Sequence, residues 1–307
     1  MGTSRWSPTD WTSYSTTAST KPTAEIFTSH SMKDALNPFE VGIRESRDSL
    51  LNPNSTAIMV GLDVTGSMGM IADNMAKKGL GVMVEEIIKR KPVSDPHILL
   101  AGIGDAYHDR SPLQVTQFEA DITIAKQLEN IWLEHGGGNN NFESYNLLWY
   151  FAALHTSIDC FEKRNKKGYL FTVGDEEAPQ KLLKSQLLKI FGDHAQEDYS
   201  TEKLLNMASK MYHVFHIVVE EGSYARHSLN KVIDSWTPLL GQRVLRLSDH
   251  KKLAEVVVSA IEVNEGRDVD SVTKSWSGAT SVVVGNAING LVANRAADNK
   301  GIVRFNV

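Results

Sequence analysis

Cysteine is almost missing: Cys160 stands alone in 307 residues, which excludes an intramolecular disulfide and favours a reducing compartment. Its plain reading is a small buried hydrophobe on a helix. No apolar run is long enough to cross a bilayer. The start, Met1-Gly2-Thr3-Ser4-Arg5-Trp6, leads into polar sequence without the apolar stretch of an export signal, and Trp6 stands where N-terminal acylation needs Ser or Thr. Basic residues are not in excess either. The 32 Lys and Arg face 37 Asp and Glu, for a net charge of −5, so nucleic acid and anionic membranes find no basic footprint. The phosphate-cradling pattern Gly-x-x-x-x-Gly-Lys-Ser/Thr is absent, which argues against an NTPase. The expectation is a cytoplasmic protein without a membrane or nucleic-acid partner.

What is present is a regular alternation of apolar strands and amphipathic helices from about residue 56 onward. Strands are read at Thr56 to Asp63, His97 to Asp105, Leu113 to Phe118, Gly168 to Asp175, His213 to Val219 and Arg243 to Leu247. Helices fall between them, including one from Glu143 to about Phe161 and one from Pro179 to Phe191. This predicts an α/β fold: a Rossmann-like, three-layer αβα sandwich around a mostly parallel, six-stranded, doubly wound sheet with one antiparallel edge strand. The flanks differ in composition. Residues 1–54 are rich in Ser, Thr and Pro with scattered Trp6, Trp11, Tyr14 and Phe27, and read as an extended arm packed on its own body or on a neighbouring subunit. Residues 55–265 form the domain, and residues 266–307 read as an extension closing in a docked strand at Ile302-Val303-Arg304-Phe305-Asn306-Val307.

The most informative stretch is Ala57-Ile58-Met59-Val60-Gly61-Leu62-Asp63-Val64-Thr65-Gly66-Ser67. An apolar strand runs straight into Asp-x-Thr-x-Ser, which sets three oxygen side chains on one side of a turn that Gly66 tightens. Oxygen donors alone suit a hard divalent cation, magnesium or manganese, better than zinc or copper. A second carboxylate arrives from far away in sequence. With strand order 3-2-1-4-5-6, strands one and four are neighbours, so Asp63 and Asp175 meet at the crevice outside their carboxyl ends. Asp105, ending strand two, belongs on the same rim. It either orients waters on the ion or caps a loop.

These residues resemble the von Willebrand factor type A family, whose metal-ion-dependent adhesion site opens with Asp-x-Ser/Thr-x-Ser and closes with an Asp at the Asp175 position. The resemblance covers about residues 55–263 and implies a metal set of Asp63, Thr65, Ser67, Glu143 and Asp175. Its departure is at Glu143. The family usually offers Thr there, whereas this chain reads Gly136-Gly137-Gly138-Asn139-Asn140-Asn141-Phe142-Glu143-Ser144-Tyr145. It looks like the subgroup with a Gly-Gly loop followed by an acidic residue, with Asn141 and Ser144 as neighbours on the rim. The resemblance, of the intracellular type, implies a magnesium-dependent module that binds a protein partner, through an acidic side chain, and an AAA+ ATPase as a partner class. Two other readings stay open. One is a magnesium-dependent hydrolase using Asp63, Asp175 and Asp105 around a water. The other is an assembly protein whose arm or tail exchanges between subunits to make a homo-oligomer. His213 and His216, three apart on a strand, face opposite sides and read as structural. The run Lys163-Arg164-Asn165-Lys166-Lys167 reads as a solvated helix end.

Overall fold

Every residue of Thr56–Asp63 (β1) after the first is buried, as expected of a strand covered on both faces. The structure, a computed structural model, describes residues 4–134 and 140–292, without the side chain of Ser67. Pro96–Ile103 (β2), Leu113–Val115 (β3), Gly168–Gly174 (β4), Tyr212–Val219 (β5) and Val244–Leu247 (β6) complete a six-stranded sheet of order β6-β5-β4-β1-β2-β3. All neighbours are parallel except β2 and β3. The expected sheet, with its antiparallel edge strand, is therefore what forms. The strand order reverses between β1 and β4, and their register pairs Leu62 with Val173. Asp63 thus lies level with Gly174, and Asp175 leaves β4 one residue later.

Alternate residues of β1 face opposite layers. Ile58, Val60 and Leu62 join a core with Leu80–Arg90 (α2), Leu253–Asn264 (α5) and Gly278–Ile288 (α6). Ala57 and Met59 join the other, with Asn146–Leu154 (α3) and Ala225–Leu240 (α4). Among the described residues, no helix is long and apolar enough to cross a membrane.

Three expectations need correction. Residues 1–54 are not extended: Pro8–Ser19 (α1) is helical, with Pro8 in its first turn and Ser7 Oγ accepting from Asp10 N–H. Trp11, Tyr14 and Ala18 recur at helical spacing, and Trp11 and Ala18 enter the first core. Trp6 donates its indole N–H to Pro96 O at 2.9 Å, and Tyr14 its hydroxyl to Glu129 at 2.9 Å. Second, the helix expected from Glu143 to Phe161 is broken. It runs from Asn146 to Leu154, after which β-branched Thr156 and Ile158 extend and pair in parallel with Arg44–Ser46. Only Asp159–Glu162 resumes helix, burying Cys160. Third, packing does not stop at residue 265. Val269–Lys274 and α6 follow, with Val272, Val284 and Ile288 buried in the first core. The docked strand expected at 302–307 lies outside the described residues. Between these elements, Lys163 and Arg164 ion-pair with Asp159 and Asp48 rather than standing free in solvent.

Since Trp11 is only 7% exposed, Trp11→Ala is expected to cost about 3–5 kcal/mol, read from the urea midpoint of the full chain. A loss below about 1 kcal/mol at unchanged m would show the amino-terminal segment to be detached in solution.

Candidate functional site

Asp63 ends β1 at the point where the sheet order reverses, and it is fully enclosed. One oxygen, Oδ1, accepts from Thr65 N–H at 2.9 Å and Thr65 Oγ1 at 2.7 Å; the other accepts from Tyr145 O–H at 3.0 Å. The first pair is a local turn in which the carboxylate replaces a backbone acceptor. Thr65 Oγ1 also lies 3.1 Å from Glu143 Oε1. One hydroxyl hydrogen therefore faces two acceptors. Thr65 Oγ1 is the donor on both sides, and its shorter contact is the one to Asp63, so the bond to Glu143 is the weaker of the two. Burial, reinforced by the charge of Asp63, pushes the Glu143 carboxyl up to about 10. Glu143 is 2% exposed, and its Oε2 has no hydrogen-bond partner.

From the other side of the crevice comes Asp175, whose Oδ2 accepts from Tyr224 N–H at 2.8 Å. Gly222 makes this possible. A Cβ there would stand 2.2 Å from Asp175 Cβ, so any larger residue would displace the carboxylate. Gly174 plays the same part for Tyr145, whose hydroxyl would meet a Cβ at 2.0 Å. The next residue, Glu176, is held by its backbone: Trp236 Nε1–H donates to Glu176 O at 3.0 Å. Its Oε2 is buried and unpartnered. Burial, with the charge of Asp63 next, pushes Glu176 up to about 8, and burial also raises Asp175. Asp63 rises for the same reason, burial, against the opposing bonds from Thr65.

A second cluster adjoins the first. Asp105 follows β2 and is fully buried. It accepts from Tyr107 N–H at 3.0 Å, Asn140 Nδ2 at 2.9 Å and Ser144 Oγ at 3.4 Å, and its Oδ2 is 2.5 Å from His108 Nδ1. Ser144 Oγ in turn accepts from Ala106 N–H at 2.9 Å. Asn141 is exposed, and its carbonyl accepts from Glu177 N–H at 3.0 Å, two residues beyond Asp175.

Hydrogen bonds thus link Asp63, Thr65 and Glu143 directly, and Asp105 with Ser144 beside them. Asp175 faces Asp63 across the crevice without a direct bond. Ser67 sits in the turn Gly66–Met68, and its side chain, like Gly136 to Asn139, lies outside the described residues. Sequence reasoning missed Tyr145 and Glu176. The second was visible as an acid adjoining Asp175; the first carried no signal beyond an aromatic at a helix start.

The donors are all oxygen, and their charge is uncompensated. Among the described residues, no ion pair involves Asp63, Glu143, Asp175 or Glu176. Elsewhere the buried Asp159 pairs with Arg47 and Lys163, and Glu262 with Arg90 and Arg267. Carboxylates desolvated without a cationic side chain, two with orphaned oxygens, have the donor chemistry of a hard divalent cation, although no three of them bring oxygens within 4.8 Å of one another. His213 and His216 do face opposite layers. His213 packs on Tyr169, while His216 stacks on Trp236 with centroids 3.7 Å apart and meets Thr172 Oγ1 at 2.9 Å. Further along the rim Glu221, Asp249 and His250 bring ligand atoms within 4.8 Å of one another. The His250 Nδ1–Glu221 contact of 2.8 Å and the backbone bond of 2.6 Å account for that proximity.

Comparison with known proteins finds no matching family model and no matching curated protein. Among solved structures, the chain is similar to the pilus adhesin SpaC from Lactobacillus rhamnosus GG in its open conformation. That match has a TM-score of 0.47 at 8% identity over 72% of this chain and 31% of that one. A second similarity is to proximal thread matrix protein 1 from the mussel byssus, at TM-score 0.42 and 10% identity over 68% and 47% of the two chains. A third is to a von Willebrand factor type A protein from Catenulispora acidiphila, at TM-score 0.36 and 13% identity over 70% and 44%. The chain spans less than half the length of each of these structures.

Proposed function

We propose that this chain is a von Willebrand factor A-type module that binds a protein partner through a divalent cation at the β1–β4 crevice. Magnesium is the cation of choice, with manganese as the alternative. Asp63, Thr65, Ser67, Glu143 and Asp175 would hold it, and Asp105, Ser144 and Asn141 would order the rim. When bound, the ion supplies a coordination position that an acidic side chain of the partner can enter. The protein does the rest. Tyr145 and the Thr65 amide fix the two oxygens of Asp63. The Tyr224 amide fixes Asp175. Desolvation then makes an empty crevice costly and a filled one favourable.

The observation that carries this reading is the enclosed Glu143 carboxyl, bonded through Thr65 to Asp63 with its second oxygen orphaned. Such a group is expensive unless something cationic completes it. An AAA+ ATPase is the partner class to test first, on the strength of the sequence resemblance. The test immobilises the full chain and applies cell extract in magnesium or in EDTA, with Asp63→Ala as the control and circular dichroism to verify its fold. Proteins retained in magnesium, released by EDTA and missing from the variant are the expected result. An identical retained set in EDTA would sink the reading.

A further inference from the structure

We infer that the groove between α1 and α2 is a second docking surface, shaped for an amphipathic helix of a partner. That helix carries acidic side chains at both ends of its apolar stripe and a basic one between them. The surface owes nothing to the cation.

The amino-terminal segment builds the groove. Trp6 and Trp11 line it with ring centroids 5.9 Å apart, and Val82 and Ile88 of α2 line it from the body of the domain. It encloses about 570 Å³, a volume typical of ligand-binding clefts. Ile88 is 40% exposed, an aliphatic side chain left open beside two indoles. Trp6 bonds to Pro96, the first residue of β2, so the groove reaches the amino ends of the strands. The crevice of Asp63 and Asp175 lies at their carboxyl ends.

Charge selects the occupant. Lys78, in the turn that leads into α2, lines the groove together with Glu85 and Lys89. With Val82 they follow one helical face in steps of four, three and four residues, and the two lysines stand about 16 Å apart. All three charged side chains are exposed. Among the described residues, no ion pair involves Lys78 or Glu85, and Lys89 meets Glu86 only at 3.4 Å. A compact ligand cannot span the three charges. A second helix can, because its residues at i, i+4, i+7 and i+11 also share one face. Acids there face Lys78 and Lys89, a base faces Glu85, and apolar residues between them meet Val82, Ile88 and the indoles. Trp11 argues against a purely apolar occupant. It is 7% exposed, and its indole N–H has no hydrogen-bond partner. A buried donor is completed by an acceptor, which a polar side chain of the occupant supplies.

The test uses fluorescein-labelled, alanine-based helical peptides of about 18 residues, long enough to hold a helix. The first carries Glu at i and i+11, Lys at i+7, and Leu at i+3, i+4 and i+8. A second has the same pattern in reverse order, so both helix directions are sampled. The control peptide exchanges every Glu and Lys. Fluorescence anisotropy follows their binding to the full chain in EDTA, for wild type, Ile88→Asp and the triple variant Lys78→Glu, Glu85→Lys, Lys89→Glu, with circular dichroism on each. Wild type is expected to bind one of the acid-ended peptides about tenfold or more tightly than the control, since three exposed pairs change sign together. The triple variant is expected to prefer the control, a reversal that misfolding cannot produce. Ile88→Asp is expected to weaken the acid-ended peptide about tenfold or more, as a charge then faces its leucines. Equal affinity for all peptides, no binding in either direction, or wild-type affinity in Ile88→Asp overturns the groove. Binding that appears only when magnesium is restored assigns the peptide to the cation crevice and overturns it as well.

Discussion

Magnesium is expected to raise the melting temperature of the full chain by about 4 °C, and Asp63→Ala is expected to abolish that rise. A ligand that binds only the folded state stabilises it by mass action, about 2.7 kcal/mol when its free concentration is about 100 times Kd. Unfolding entropy near 60 °C is roughly 2.1 cal/mol/K per residue, so a chain of 307 residues converts that energy into a shift of only a few degrees. The shift is small but lies well within the resolution of calorimetry. Asp63 is the residue to remove because it organises the others: Thr65 and Tyr145 both bond to it, and Glu143 reaches it through Thr65. Calcium and manganese arms add chemical resolution. A crevice of fixed carboxylates of this size is expected to rank manganese with magnesium, since both take octahedral oxygen shells. A magnesium-induced rise of equal size in Asp63→Ala would place the ion elsewhere on the molecule, and Glu221, Asp249 and His250 would be the next residues to change.

How much of this was legible in sequence differs by element for physical reasons. The central strands were plain because a strand buried on both faces is a continuous apolar run, and β1 and β4 are such runs. Their order alone brings Asp63 and Asp175 to one crevice. The amino-terminal helix was obscured by Ser and Thr, which favour caps and turns. Ser7, Pro8 and the Trp11–Tyr14–Ala18 spacing were the competing signals, and tertiary burial of Trp11 decides the matter. The break after Leu154 was hidden because its cause is remote: Thr156–Ile158 extends to pair with Arg44–Ser46, a partner more than a hundred residues away. Glu176 illustrates the limit for the site itself. In sequence it is only an acid beside an acid at a strand end, and nothing there assigns it a role. Only the fold reveals that Trp236 pins its backbone and that its Oε2 finds no donor.

In EDTA, Glu143→Gln is expected to be more stable than wild type, by a margin that widens as pH rises from 7 to 8.5. Burial and then the charge of Asp63 hold the folded Glu143 carboxyl at about 10, above its ordinary value of 4.5. A carboxyl raised on folding binds its proton more tightly in the native state than in the unfolded one. Its contribution is therefore intact below about pH 4.5 and is lost as pH climbs toward the folded value. The slope is about 1.4 kcal/mol per pH unit for one such group. Glutamine keeps the shape and a hydrogen-bonding oxygen but has no proton to lose. The window matters because other groups oppose the trend at lower pH. Burial lowers His97 and His213 to about 4, so the unfolded chain takes up protons there and stability rises with pH until they are neutral in both states, above about 6.5. Asp48, held at about 2 by Arg164 and Ser55 against its burial, is silent above pH 5. Saturating magnesium is expected to flatten the wild-type slope, because the ion takes the place of the protons and releases them on binding. Urea unfolding at pH 7, 7.75 and 8.5, with and without magnesium, reads both effects. Parallel wild-type and Glu143→Gln lines in EDTA would mean that Glu143 is already ionised and solvated in the folded chain, and that the crevice is open rather than enclosed.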